Sequence, residues 1–169
     1  MNTQENTLVM RSPRPDEAEV LAELHLATWE ETYADVFTPD AWGSEARRER
    51  LELWTAICTA PRETDRIRVA ERDGALVGFA GSGASDDPTV ERQLFFLYLR
   101  ASEHGSGLGQ RLLDAVADDR SIGLWVLDSN ERALRFYRRN GFTLDQARRP
   151  SDHAPGHDQL RLVRPAPRE

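Results

Sequence analysis

Residues 93 to 116 restrict the chain to a few folds. Leu94 to Leu99 is an apolar, aromatic-rich run that suits a buried strand. A turn with alternate glycines follows, Gly105, Gly107 and Gly109. Leu108, Leu112, Ala115 and Val116 then recur at helical spacing. Strand, glycine turn and helix in succession present free backbone N–H groups to an anion. The first amides of a helix have no internal partner, and the helix dipole adds partial positive charge there. Glycine removes the side chains that would hold a phosphate off the main chain.

Which phosphate this is follows partly from exclusion. A P-loop requires a lysine, and all the basic residues here are arginine. A dinucleotide fingerprint needs a glycine where Gln110 stands, and the Asp73-Gly74 hairpin upstream contradicts a run of βαβ units. The net charge of −7 disfavours nucleic acid and mildly favours cationic partners. Cys58 is the single cysteine, so no internal disulfide or multi-cysteine metal site is expected. No apolar run approaches the ~20 residues of a membrane span, and the polar start does not read as a signal peptide, so a cytoplasmic protein is expected.

The rest of the chain reads as one domain. After a loose start over residues 1–6, Leu8 to Arg11 forms a short strand. Asp16 and Glu19 have capping-box spacing ahead of a helix whose inner face is Val20, Leu21, Leu24, Ala27 and Thr28. This helix ends in Trp29, Glu30, Glu31, Tyr33 and Asp35. The aromatics there read as core or rim and the acids as solvated, or the group reads as an acidic acceptor pocket. A second helix runs from Pro39 to about Cys58, with Trp42, Leu51, Leu53, Trp54 and Ile57 as its apolar residues. Strands at Ile67–Glu71 and Ala75–Ala80 flank the Asp-Gly turn, and Gly81 to Pro88 reads as a loop. Ile122 to Leu127 is a further strand. Asp128, Ser129 and Asn130 are N-cap candidates, Asp128 with Glu131 repeats the capping spacing, and the helix that follows stops at Gly141. Asn130 and Tyr137 lie about two turns apart and share a face. Phe142–Leu144 reads as a strand, Gln146–His157 as a polar loop and Asp158–Val163 as the last strand.

Two blocks carry a resemblance. Leu97-Tyr98-Leu99 followed by His104, Gly107 and Gly109 resembles the acyl-CoA-binding motif of the GNAT superfamily of N-acetyltransferases, with His104 where Gln or Arg is usual. Asn130, Ala133, Phe136, Tyr137, Gly141 and Phe142 resemble the same family's second block, in the right order and separation. The resemblance covers residues 7 to 164.

It implies an α/β fold with a mixed, mostly antiparallel sheet, two splayed parallel strands and helices on both faces. It implies acetyl-CoA as cosubstrate, with no metal. Main-chain groups of Leu97, Tyr98 and Leu99 would bond the pantetheine arm. His104 and the amides of Gly105, Ser106, Gly107, Leu108, Gly109 and Gln110 would face the pyrophosphate. Asn130 would bond near the arm, and Tyr137 would be the general acid toward the leaving thiolate.

The implied reaction is direct acyl transfer to a small-molecule primary amine by a monomer or homodimer. Protein or peptide acetylation and a non-catalytic CoA sensor are the alternatives. For an alkylamine of pKa about 10, about one molecule in a thousand is neutral at pH 7, worth ~4 kcal/mol. The base that offsets this is unassigned. Glu30, Glu31, Asp35, His25 and Glu91 are candidates, while Gln93 stands where relatives carry a glutamate. Glu30 and Glu31 also suggest a cationic acceptor such as a polyamine. His153 and His157, with their Pro and Gly neighbours, read as a flexible loop near the acceptor entrance and not as a metal site.

Overall fold

A computed structural model describes residues 6 to 169; of the loose start expected over residues 1–6, all but Asn6 lies outside the described residues. Seven strands, β1 (Leu8–Arg11), β2 (Arg66–Arg72), β3 (Ala75–Ala84), β4 (Arg92–Leu99), β5 (Ile122–Leu127), β6 (Thr143–Pro150) and β7 (Asp158–Arg164), make one sheet in the order β1-β2-β3-β4-β5-β7-β6. All neighbours are antiparallel except β4 and β5. Parallel neighbours need a crossover, and α3 (Leu108–Val116) supplies it. The remaining helices are α1 (Ala18–Tyr33), α2 (Ser44–Thr59) and α4 (Glu131–Arg139). This is the mixed sheet with helices on both faces that the resemblance implies.

Each face has its own core. Leu21, Leu24, Trp54, Cys58, Ile67, Val69, Phe79 and Phe96 join α1 and α2 to one face. Leu94, Leu108, Leu112, Leu113, Leu124, Leu134, Tyr137 and Leu162 join α3 and α4 to the other. Val20, expected on the inner face of α1, is 51% exposed, and Leu51 and Leu53 of α2 also lie outside the core. On α2 the buried residues are Ala46, Trp54 and Cys58, a narrow stripe that Leu51 and Leu53 miss.

Several local expectations are corrected. Glu17, not Asp16, precedes α1. Its carboxylate accepts from the Arg14 N–H at 2.7 Å and from Arg11 at 2.6 Å, so the arginines and not a capping box hold the entry. The second helix does not start at Pro39: Pro39–Trp42 is a 3-10 turn, and extended backbone at Gly43 separates it from α2. The stretch Gly81 to Ala84 is strand, not loop. Its glycines make room: a Cβ on Gly81 would lie 2.7 Å from Phe96, and one on Gly83 would lie 2.7 Å from Phe95. Between them Ser82 Oγ donates to Val116 O at 2.5 Å and accepts from Arg92 at 2.9 Å. β6 runs on to Pro150 with all its residues exposed, so half of the expected polar loop is an edge strand. The Asp73–Gly74 turn is as expected, with φ of 52° and 86°, the left-handed pair of a two-residue hairpin.

His25 lies in the α1–α2 core and is not a catalytic base. It is 3% exposed, and its Nδ1 accepts from Trp54 Nε1 at 3.2 Å. Burial first, and the charge of Arg50 second, push its pKa well below the usual 6.5. A histidine held neutral in the fold but free to protonate when unfolded stabilises the fold fully above about 6.5 and progressively less as pH falls below it. Chemical denaturation is therefore expected to show stability declining from pH 7 to pH 5. In His25→Gln, which keeps an acceptor for Trp54 but cannot titrate, the decline should be shallower; an unchanged slope would show that His25 does not contribute.

Candidate active site

The site begins where β4 and β5 part. They pair only at Arg92↔Ile122 and Gln93↔Gly123. The cause lies on the other edge of β4. Gly81 opposes Phe96 and Ser82 opposes Leu94, so Phe95 is an extra residue, and a bulge there bends β4 away from β5. Beyond the bulge, the Arg100 N–H donates to Val77 O on the β3 side at 2.8 Å. By alternation the backbone groups of Leu97 and Leu99 face the open side. The inner edge of β4 thus offers unpaired donors and acceptors to an extended ligand.

The opening is a cleft of about 440 Å³, lined among others by Leu97, Tyr98, Leu127, Asn130 and Tyr137. That is within the range of small-molecule sites. Its wall on the α1 side is aromatic. Trp29 and Tyr33 lie edge to face at 6.2 Å, Tyr33 stacks on Phe37 at 4.2 Å, and Trp29 reaches Tyr98 at 6.4 Å. The Tyr33 and Tyr98 hydroxyls are 3.5 Å apart, and Asn130 Nδ2 donates to Tyr33 Oη at 3.3 Å. Asn130 is also the N-cap of α4, its Oδ1 accepting from the Ala133 N–H at 3.2 Å. Of the three expected cap candidates Asn130 takes the site, while Asp128 accepts from the Asp158 N–H at 3.0 Å and pairs with His157 at 2.8 Å. Tyr137 is buried, yet no protein partner holds its hydroxyl among the described residues. Burial first, then the neighbouring Tyr33, raises its pKa above the ordinary 10. The phenol therefore stays protonated throughout the neutral range.

The glycine turn lies beyond the end of β4. Gly105 and Gly107 have φ of 80° and 85°, a region that other residues enter only under strain. The first helical bond of α3 is from the Arg111 N–H to Gly107 O. Among the described residues the amides of Gly105, Gly107, Gly109 and Gln110 keep no acceptor. That of Ser106 donates to Glu103 O, and that of Leu108 reaches Ser106 Oγ at 3.3 Å. Four free amides at a helix N-terminus form an anion cradle. His104 is half-buried beside it, and burial and then the charge of Arg132 lower its pKa.

The base candidates read from the sequence are not brought together. Glu31 accepts from the Ala101 N–H at 2.7 Å and pairs with Arg100 at 3.1 Å, clasping the end of α1 to the exit of β4. Glu30 and Asp35 are exposed and lie outside the cleft lining. Glu91 accepts from the Ser121 N–H at 3.2 Å, at the closed end of the splay. Sequence reasoning missed Phe95, Trp125, Arg149 and Asp152, which line the cleft, and left His153 without a role. Strand alternation is the signal that would have placed Trp125 on the same face as Leu127. Arg149 carried no such signal, because β6 was read as loop.

Residues 63–144 match a family profile described as an acetyltransferase (GNAT) domain. An uncharacterized N-acetyltransferase of Mycobacterium tuberculosis is 38% identical over 96 residues, which are 53% of this chain and 59% of that protein. The chain thus spans about three fifths of the length of such curated relatives. Among solved structures, a protein assigned to the GNAT family from Desulfovibrio desulfuricans superposes with a TM-score of 0.71 at 21% identity, covering 95% of this chain and 100% of that one. The PaiA N-acetyltransferase of Thermoplasma acidophilum, solved with coenzyme A, gives 0.69 at 17%, covering 94% and 99%.

Proposed function

We propose that residues 7 to 164, which resemble the GNAT acetyltransferases over residues 63–144 and in fold, form one unit that transfers acetyl from acetyl-CoA to a primary amine of a small molecule, within a ternary complex. One observation carries this reading. The splay between β4 and β5 joins, in a single cleft, free backbone groups on one strand and the Tyr137 hydroxyl, with the glycine cradle at the end of β4.

Each part has a stated role. The amides of Gly105, Gly107, Gly109 and Gln110 bind the pyrophosphate. Backbone groups of Leu97 and Leu99 pair with the amide groups of the pantetheine arm as an added strand edge would. The Leu99 N–H donates to the thioester carbonyl oxygen as negative charge develops there. Acetyl-CoA supplies an activated acyl group. The neutral amine attacks the carbonyl carbon, a C–N bond forms and the C–S bond breaks. Tyr137 gives its proton to the departing sulfur and is reprotonated from solvent, while the new amide nitrogen loses its proton to water. A free thiol has a pKa of about 8.5, below that of the phenol. Burial disfavours the leaving thiolate as it does the phenolate, so the sulfur gains from a proton donor beside it.

The acids on α1 are not at the cleft, so the site works by admitting the neutral amine, whose proton passes to water after attack. The direct test is release of free thiol from acetyl-CoA over a panel of small amines. Turnover with none of them, together with no acetyl-CoA binding by calorimetry, would sink the reading.

Gly107→Val is expected to weaken acetyl-CoA binding about 10-fold. At φ of 85° a β-branched residue is strained by ~1–3 kcal/mol, and relief turns the free amides out of line. Nothing lies within 4 Å of the added Cβ, so this strain alone sets the loss of thermal stability, a few degrees in melting temperature. Calorimetric titration checks this, and an unchanged Kd would remove the cradle from the phosphate site.

A further inference from the structure

We propose that the acceptor amine carries a carboxylate beside an apolar body, and that Arg149, stacked on Trp125, receives that carboxylate. This rests on the acetyltransferase reading and narrows it.

The charged groups lining the cleft are Arg149, Asp152 and His153. Arg149 is held in place: its guanidinium carbon lies 4.2 Å from the centre of the Trp125 ring, and its Nε donates to Gln159 Oε1 at 2.6 Å. That bond uses the inner nitrogen. Among the described residues no carboxylate stands within ion-pair distance, and both terminal nitrogens lack a hydrogen-bond partner. Its neighbours differ. Arg148 pairs with Asp158 at 3.2 Å, and Arg161, 5.6 Å from the same indole, pairs with Asp87. Arg149 is therefore an unneutralised cation, fixed in plane, with the fork that matches a carboxylate turned outward. Arg149 is exposed to solvent, so its fork is open to an incoming anion, while the indole beneath it and the bond to Gln159 limit how it can turn.

The apolar part follows from the opposite wall. Trp29, Tyr33, Phe37 and Tyr98 form one aromatic surface. Trp29 Nε1 is buried with no partner, a further donor without an acceptor. A polyamine would meet this wall, one unpaired guanidinium and a single acid, Asp152. The acids that suggested a cationic acceptor are elsewhere: Glu31 is paired with Arg100, and Glu30 and Asp35 are outside the lining. An edge-strand arginine commonly serves to keep strands from associating. That role does not require stacking on an indole inside a cleft.

The test compares matched amines in the thiol-release assay: phenylalanine against phenylalaninamide, 4-aminobutyrate against butylamine, and spermidine. In the wild type at least one acid should exceed its partner lacking the carboxylate about 10-fold in kcat/KM. Arg149→Met, which keeps the aliphatic stem over Trp125, should raise KM for that acid about 10-fold and leave KM for the partner lacking the carboxylate unchanged. Arg149→Lys should recover part of the loss. If spermidine or the amines lacking a carboxylate are preferred, or if Arg149→Met leaves KM for the acid unaltered, the proposal fails while the acetyltransferase reading stands. If no amine turns over, tryptophan fluorescence decides, since Trp29 and Trp125 both line the cleft. With CoA present, N-acetylphenylalanine should bind more tightly than its amide in the wild type and equally in Arg149→Met. Equal binding in the wild type overturns the assignment.

Discussion

Tyr137→Phe is expected to lower kcat about 100-fold, with the melting temperature and the affinity for acetyl-CoA nearly unchanged. The magnitude is the low end for loss of a positioned proton donor. The separation from stability has a structural reason. The Tyr137 ring packs in the α3–α4 core and stays there as Phe, edge to face with Phe142 at 5.5 Å and Phe136 at 5.2 Å. The hydroxyl makes no protein hydrogen bond among the described residues, so removing it leaves no buried partner unsatisfied. The pH profile adds a second reading. Burial and Tyr33 raise the phenol above its ordinary 10, so the wild type should show no alkaline fall in kcat from this group below about pH 10. Steady-state rates and differential scanning fluorimetry on the same preparations suffice. Full turnover in the variant would remove Tyr137 from the chemistry; a matched loss of stability would make it a packing residue.

The largest effect on the fold is expected at Trp54. Trp54→Ala should destabilise by ~4–8 kcal/mol and lower the melting temperature by about 10–30 °C. The indole is fully buried where α1, α2 and the sheet meet, 5.2 Å from Phe79 and 5.3 Å from Phe96. Its loss leaves a cavity, at ~3–5 kcal/mol for a buried Trp. It also strips His25 Nδ1 of its donor, adding ~1–3 kcal/mol. Domains are stable by only ~5–15 kcal/mol, so the loss is a large share of the total. Trp54→Phe should cost less than half as much. Activity should suffer in step, because Phe96 borders the β4 bulge and α1 carries Trp29 and Tyr33. Urea unfolding followed by far-UV circular dichroism measures both variants. A loss below about 1 kcal/mol for Ala would mean that the α1–α2 layer is not anchored through this indole.

Particular residues show what was legible. The Asp73–Gly74 hairpin could be read because its backbone geometry is dictated by two adjacent residues. The glycine turn could be read for the same reason. The errors occurred where a residue's local meaning was overruled by a distant neighbour. Gly81 and Gly83 look like loop, yet they are strand because Phe96 and Phe95 occupy the space above them. Asp16 looks like a cap, but Glu17, held by Arg11, stands at that site. Among the cap candidates Asp128, Ser129 and Asn130, Asn130 takes the site while Asp128 ties down β7. The glutamates on α1 look like an acceptor pocket, but one clasps Arg100 and the other faces solvent.

The same division separates the two ends of the candidate site. The donor end lies within short contiguous stretches, residues 97 to 110 and 130 to 137, where spacing along a strand, a turn and a helix sets which groups converge. The sequence alone therefore determined the resemblance to the GNAT family and the groups proposed to hold acetyl-CoA. The acceptor end draws on Trp29 from α1, Tyr98 from β4, Trp125 from β5, Arg149 from β6 and His153 from the β6–β7 loop. Those residues meet only because β6 pairs with β7, β7 pairs with β5, and the Phe95 bulge holds β4 away. Sheet register and a single inserted residue make that arrangement, and neither leaves a periodic trace in the chain. Tertiary structure alone decided that an unpaired arginine on an indole, and not the acids of α1, lines the cleft.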